Sequence, residues 1–486
     1  MSSGTPHARR TPRRLAEATA VAGSLAILGL LLLAPHGTSK LELASHWWVG
    51  TLPFALLLGA IAALPLVPAL AHWWHSNLNR YLVSLGAAGL ALGYLLFAGG
   101  AEAVGNALHH AIPDEYVPFM SLLFALYVIA GGLRIETPFS GKPLENASIL
   151  LAGGLVASFI GTTGAAMVLI RPLLESIRSR RHRAHSVIFF IFIVCNCGGC
   201  LLPIGDPPLF MGYLRGVPFG WTLGLWKEWL LVNSLLLAAY LAIDWSLARK
   251  ERGAAGPRET APQPASGTVS GFRISGLVNL PLLVAAIAAV ALLVPGKPIP
   301  GTELAAAPFV REGVLFALAG ASWILTSRRV REGNRFEFGA ILEVAAIFIG
   351  IFIAMQLPLE VLKDKGAGLG IESPFAFYWI TGALSSFLDN APTYVVFFEI
   401  AKALPPVPDE AYVALADGQI RGDLLTAVSL GAVFMGANTY IGNGPNFMVK
   451  AIAESDGVKM PSFFGYMGWS IGILIPLLLL AQLALP

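Results

Sequence analysis

Charge is scarce in this chain. Only 13% of its 486 residues are Asp, Glu, Lys or Arg, about half the share of an ordinary soluble domain. A soluble fold of this length is excluded, because it would have almost nothing polar to cover its surface. Cysteine is rarer still. Cys195, Cys197 and Cys200 lie in one apolar segment, too close together on a helix to staple distant parts of a fold. With no further Cys or nearby His, they read as small packing residues rather than a metal cluster. No phosphate loop of the form G-x-x-x-x-G-K-[ST] occurs, which excludes an ATP-driven pump encoded by this chain alone. The net charge of +3 gives no reason to expect nucleic acid as a partner, and neither a cofactor nor an enzymatic centre is expected.

What the chain has is apolar length. Hydrophobic residues make up 56% of it, and they recur in uncharged runs of about 20 residues, the length a helix needs to cross a bilayer. The N-terminus carries Arg9, Arg10, Arg13 and Arg14 before an apolar run from Leu15 to Ala34, the layout of a signal peptide or a signal anchor. The run is long and lacks a clear small-residue cleavage site, so a retained first helix with a cytoplasmic N-terminus is expected. Spanning segments follow at roughly 47–70, 78–100 and 116–134, then a long interrupted segment at 145–178, a Gly/Pro-broken span near 186–214 and a helix near 219–247. The same grammar repeats at roughly 275–294, 308–326, 338–357, 375–404, 423–453 and 463–485.

Excess Lys and Arg should mark cytoplasmic loops. If the two long segments are re-entrant hairpins, then Arg178, Arg180, Arg181 and Arg183, the linker from Arg249 to Arg273, and Arg328, Arg329, Arg331 and Arg335 all face inward. The loops 101–115, 295–307 and 405–422, which hold Asp114, Glu115, Asp409, Glu410 and Asp417, then face outward. This threading predicts an all-α polytopic membrane protein of about 11 transmembrane helices plus two re-entrant hairpins in an inverted repeat. The expected parts are 1–46 (basic segment and first helix), 47–247 (first repeat), 248–274 (cytoplasmic linker) and 275–486 (second repeat). Residues 199–211 and 436–448 support the duplication, since Gly, Ile, Gly, Pro, Phe and Met recur in them at equal spacing.

Function is expected where helices break near the bilayer midplane, because unwound backbone is tolerated there only if it lines a cavity or is buried in protein. The candidate breaks are Gly161-Thr162-Thr163-Gly164, the stretch Pro203–Pro208, Asp389-Asn390-Ala391-Pro392-Thr393, and the stretch Asn438–Pro445. Pro removes an amide donor and Gly lets the chain unwind, so each break is expected to free carbonyl oxygens for a dehydrated Na⁺. Asp206 and Asp389 stand beside breaks, one in each half. A carboxylate at membrane depth is costly and marks a functional site by default; the competing reading is an Asp that caps a helix. Asn390, Thr393, Asn438, Asn443, Thr162, Thr163 and Asn196 are expected to supply neutral oxygens. Arg171 is expected to pair with Glu175 one turn away. Glu136 and Glu175 read as interfacial, and Glu343 and Glu399 as weaker proton-carrier candidates.

At these breaks the sequence resembles an ion transporter superfamily that includes D-type sodium/proton antiporters, arsenite permeases, citrate permeases and divalent-anion/sodium symporters. The motif Asn196-Cys-Gly-Gly-Cys-Leu-Leu-Pro-Ile-Gly-Asp206-Pro looks like the antiporter pattern, and Ser386-Phe-Leu-Asp389-Asn390-Ala-Pro392 looks like its second hairpin tip. The Ser-Asn-Thr tips of the family's carboxylate symporters are absent. The resemblance implies a secondary active transporter of the inner membrane. It favours Na⁺/H⁺ exchange by alternating access, with a sodium- or proton-coupled citrate or dicarboxylate symporter as the alternative. It also implies Na⁺, H⁺ and the lipid bilayer as partners, no resident metal beyond transported Na⁺, and by analogy a homodimer.

Overall fold

The computed structural model describes residues 10–35, 37, 45–74, 76–254 and 271–484. Arg9, His75 and most of the linker expected at 248–274 lie outside the described residues. Helix dominates. Among the described residues the strands form two antiparallel ladders, Arg134–Glu136 with Arg273–Ser275 and Tyr412–Leu415 with Gly418–Arg421. The chain is an all-α polytopic membrane protein. Among the described residues six helices are long and apolar enough to cross a bilayer, or seven if one pair bent by 43° counts as a single span. The expected count of about eleven is not reached by single long helices, because several expected spans are built of short helices on either side of a break.

By its contacts the chain divides into two units. One contains residues up to Met120, Phe338–Ile371 and Phe398–Pro408; the other contains Ser121–Glu337, Glu372–Phe397 and Asp409 onward.

In the first unit the helices Asn77–His109 and Gly339–Ala354 pack closely. A side chain on Gly350 would lie 2.6 Å from the Ser84 Cβ, and Phe119 stacks on Phe348 with ring centres 4.8 Å apart. Arg80 is buried and pairs with Glu343 at 2.6 Å, so Glu343 has a structural partner. The loop expected at 101–115 is instead helical. Its polar residues interrupt the hydropathy but not the backbone hydrogen bonding, and the direction changes at Gly100, whose φ of 70° favours glycine.

In the second unit the segment at 143–176 folds as a hairpin. Helix Pro143–Ile160 ends at Gly161 (φ 77°, ψ 149°) and helix Thr162–Ser176 returns. The open ends are tied together where the Ser176 hydroxyl donates to Asn146 Oδ1 at 2.8 Å. A second hairpin pairs helix Pro374–Ser385, capped by the Ser373 side chain, with the helix that starts at Asn390. Phe377 meets Phe397 across it, ring centres 6.4 Å apart. Both broken spans are present as well: Ala184–Ile193 and Pro207–Leu214 flank one break, Gly422–Met435 and Gly444–Ser455 the other. Each resumes its helix with Pro in the first turn, where the missing N–H costs nothing.

A charged cluster closes the open end of the first hairpin. Asp244, fully buried, accepts from Arg180 at 2.8 Å, His185 at 3.0 Å, Tyr240 at 3.1 Å and Asn146 at 3.4 Å. Arg180 also pairs with Glu251 at 2.6 Å. Arg171 donates to the backbone oxygen of Asn334 at 3.2 Å. Glu175, one turn away, interacts with Arg171 electrostatically, but among the described residues no hydrogen bond or ion pair within 4 Å joins the two. Glu136 pairs with Arg134 at 2.8 Å.

Candidate functional site

The second unit brings residues from all four breaks to one carboxylate. Asp206 is 1% exposed. Its Oδ1 accepts from the Thr162 hydroxyl at 2.8 Å and from Asn443 Nδ2 at 3.2 Å, and its Oδ2 accepts from Asn390 Nδ2 at 2.7 Å. Thr162 comes from the first hairpin tip, Asn390 from the second, and Asn443 from the second broken span. The backbone N–H of Thr162 also donates to Gly205 O at 2.8 Å, which docks the first tip onto the first break.

The two breaks are built alike. Asp206 has φ −142°, ψ 142° and Asn443 has φ −149°, ψ 139°, each as the last residue before a helix resumes. The preceding glycines, Gly205 and Gly442, press so closely on the carbonyls of Gly199 and Gly436 that a Cβ at either would collide. Ser158 donates to Gly198 O and accepts from the Leu201 N–H; the Ser386 hydroxyl donates to Gly382 O at 2.7 Å, with Met435 O also within reach at 3.2 Å, and accepts from Asn438 Nδ2.

The unwound carbonyls are largely occupied, contrary to the expectation that they stand free. A buried carbonyl without a partner would cost about 1–3 kcal/mol, and side chains of the following helices meet this need. Trp229 and Asn233 donate to Gly198 O and Cys197 O at 3.0 and 3.2 Å. Tyr466 and Ser470 donate to Ala437 O and Asn438 O, each at 2.8 Å. Three amide oxygens around the breaks are left over instead: among the described residues Asn390 Oδ1, Asn438 Oδ1 and, on the following helix, Asn233 Oδ1 are buried without a hydrogen-bond partner.

The other expected residues divide. Asn196 joins the site, donating to Ile191 O and Asn446 Oδ1, both at 2.8 Å, and accepting from Asn443 at 3.2 Å. Thr393 does not reach Asp206; its hydroxyl donates to Asp389 O at 2.9 Å. Thr163, half-buried, adds no hydrogen bond to Asp206. Asp389 is half-buried and accepts from the Ala391 N–H at 3.2 Å, the geometry of a helix cap. Asn446 was not expected, although it is fully buried and bridges Asn196 to Gly436 O and Thr439 O. A polar residue in register with Leu209 of the other half was the available signal. The three cysteines are buried and free, and the described residues hold no cluster of His, Cys, Asp and Glu fit for a metal ion.

Residues 42–485 match the model of a family described as "Putative citrate transport". No curated protein matches the chain.

Proposed function

This chain belongs to that family, and from that premise we propose that it is a secondary active transporter that exchanges Na⁺ for H⁺ by alternating access. In this reading it lies in the inner membrane with a cytoplasmic N-terminus, and 47–247 and 275–486 form an inverted repeat. The observation that carries the reading is the surroundings of Asp206. Its hydrogen-bond partners are a hydroxyl and two amides, all neutral, and two unpartnered amide oxygens stand in the same set of breaks. One acid with neutral oxygens suits a small monovalent cation in competition with a proton.

A cation entering such a site meets one negative charge and the oxygens of Asn390 and Asn438. Protonation of Asp206 removes the charge and releases the ion. Asp389, beside Asn390 on the second tip, is the second acid; it caps its helix and adds negative potential for an arriving cation. The nine residues named from the sequence make no hydrogen bond to Lys, Arg or His among the described residues. A polyanion such as citrate would have no cationic partner in this set. The second reading, symport of citrate coupled to Na⁺ or H⁺, takes its substrate from the family's description, which names citrate transport.

Reconstituted vesicles with an imposed proton gradient separate the two. Added Na⁺ should dissipate the gradient, while labelled citrate should not accumulate. Citrate uptake without Na⁺-dependent proton movement would overturn exchange in favour of symport.

A further inference from the structure

Hydrogen-bond direction sorts the neighbours of Asp206 into fixed and free. Backbone carbonyls only accept, so an amide that meets one must present its NH₂ there. Asn446 is held in this way by Gly436 O and Thr439 O at 2.8 and 2.9 Å, Asn196 by Ile191 O at 2.8 Å, and Asn443 by Cys195 O at 3.0 Å. Asn446 therefore offers its oxygen to Asn196, and Asn196 offers its oxygen to Asn443. Asn443 Nδ2 has two N–H groups for three acceptors, Cys195 O, Asn196 Oδ1 and Asp206 Oδ1, so the chain of amides ends on Asp206 Oδ1 with a shared N–H.

Asn390 has no such anchor. Its Nδ2 meets only Asp206 Oδ2, and its Oδ1 is fully buried without a partner. The two carboxylate oxygens also differ: Oδ1 takes two donors, from Thr162 and Asn443, whereas Oδ2 takes one, from Asn390. A proton arriving on Oδ2 displaces the fewest hydrogen bonds. It turns that oxygen into an O–H donor, which then needs an acceptor. Asn443 could supply one only by abandoning Cys195 O, whereas Asn390 need only turn its amide.

We propose that Asn390 is the amide that reverses when Asp206 takes up a proton, presenting Oδ1 to the new O–H, and that a bound cation uses the same oxygen. The inference rests on the exchange reading and gives it an atomic basis. The amide cannot turn Oδ1 toward the O–H of Asp206 and at the same time keep Nδ2 there with Oδ1 turned to a cation, so H⁺ and Na⁺ select opposite orientations of Asn390. The O–H bond made on Asp206 replaces one broken in a hydronium ion, which is left as water, as Na⁺ departs. The titratable groups around Asp206 are Asp389 on the second tip and the thiols of Cys195, Cys197 and Cys200 on the first broken span. None of them takes part in these hydrogen bonds.

Infrared difference spectra of the purified full-length protein, acid minus neutral and without Na⁺, test this directly. The wild type should show a carboxyl band that is lost in Asp206→Asn and an amide band that is lost in Asn390→Ser. The amide band should persist in Asn443→Ser, or in Asn446→Ser should that variant fold better, and added Na⁺ should suppress both bands. An Asp206 carboxyl band with no amide band, or an amide band lost in Asn443→Ser and kept in Asn390→Ser, would overturn the proposal and leave exchange standing. Absence of any Asp206 carboxyl band would overturn the exchange reading and this inference together.

Discussion

Asp206 and Asn443 occupy equivalent places in the two breaks, with the same backbone conformation, a crowded glycine before them and a resuming helix after them. They differ in one group, an oxygen where the other has NH₂. That difference makes the pair a hydrogen bond of 3.2 Å. With Asp at both positions, two carboxylates would share one buried site and could not both ionise. At these two positions a single charge serves both breaks, and Asn443 contributes a donor to it.

Loss of the charged member of this pair has the largest effect. Asp206→Asn keeps the size and most hydrogen bonds but removes the titratable charge. Na⁺-dependent proton movement in reconstituted vesicles should fall to background, with a melting temperature equal to or above that of the wild type, since a buried charge is gone. Asn443→Asp comes next. It places two acids in contact and should cost on the order of 3–5 kcal/mol of stability, read by thermal unfolding in detergent. The double exchange Asp206→Asn with Asn443→Asp sharpens the point, because it should recover the stability that Asn443→Asp loses. A double variant no more stable than Asn443→Asp would show that the two positions are not equivalent.

Smaller effects separate Asp389 from Asp206. As a cap and secondary acid, Asp389 should tolerate Asn with transport reduced but present, because Asn caps nearly as well; Asp389→Ala should cost about 1 kcal/mol of stability. Complete loss of transport in Asp389→Asn would make it an equal partner of Asp206. Thr393→Val should be the mildest change. It removes one hydrogen bond to Asp389 O, worth about 0.5–1.5 kcal/mol, and vesicle transport should stay near the wild-type rate.

Much of the site was legible because helix breakers and polar oxygens cluster in otherwise apolar segments. Gly161-Thr162, Asp206, Asp389-Asn390 and Asn443 all announce themselves in this way. Pairings across long sequence distance were hidden. The Asn196–Asn446 hydrogen bond joins residues 250 apart, and Arg180 finds Asp244 within an apolar helix 64 residues on. Nor could spacing reveal that Trp229, Asn233, Tyr466 and Ser470 occupy the unwound carbonyls, because which face of a following helix meets a break is set by packing. The helix through 101–115 was missed for a simpler reason: hydropathy reports lipid contact, and a helix can continue through polar residues.

Competition of H⁺ and Na⁺ at Asp206 predicts proton release from purified protein in weakly buffered solution on addition of Na⁺, followed with a pH-sensitive dye. The wild type and Asp389→Asn should release protons in a saturable, Na⁺-dependent way, and Asp206→Asn should release none. Release that survives in Asp206→Asn, or its absence from the wild type, would refute competition at Asp206.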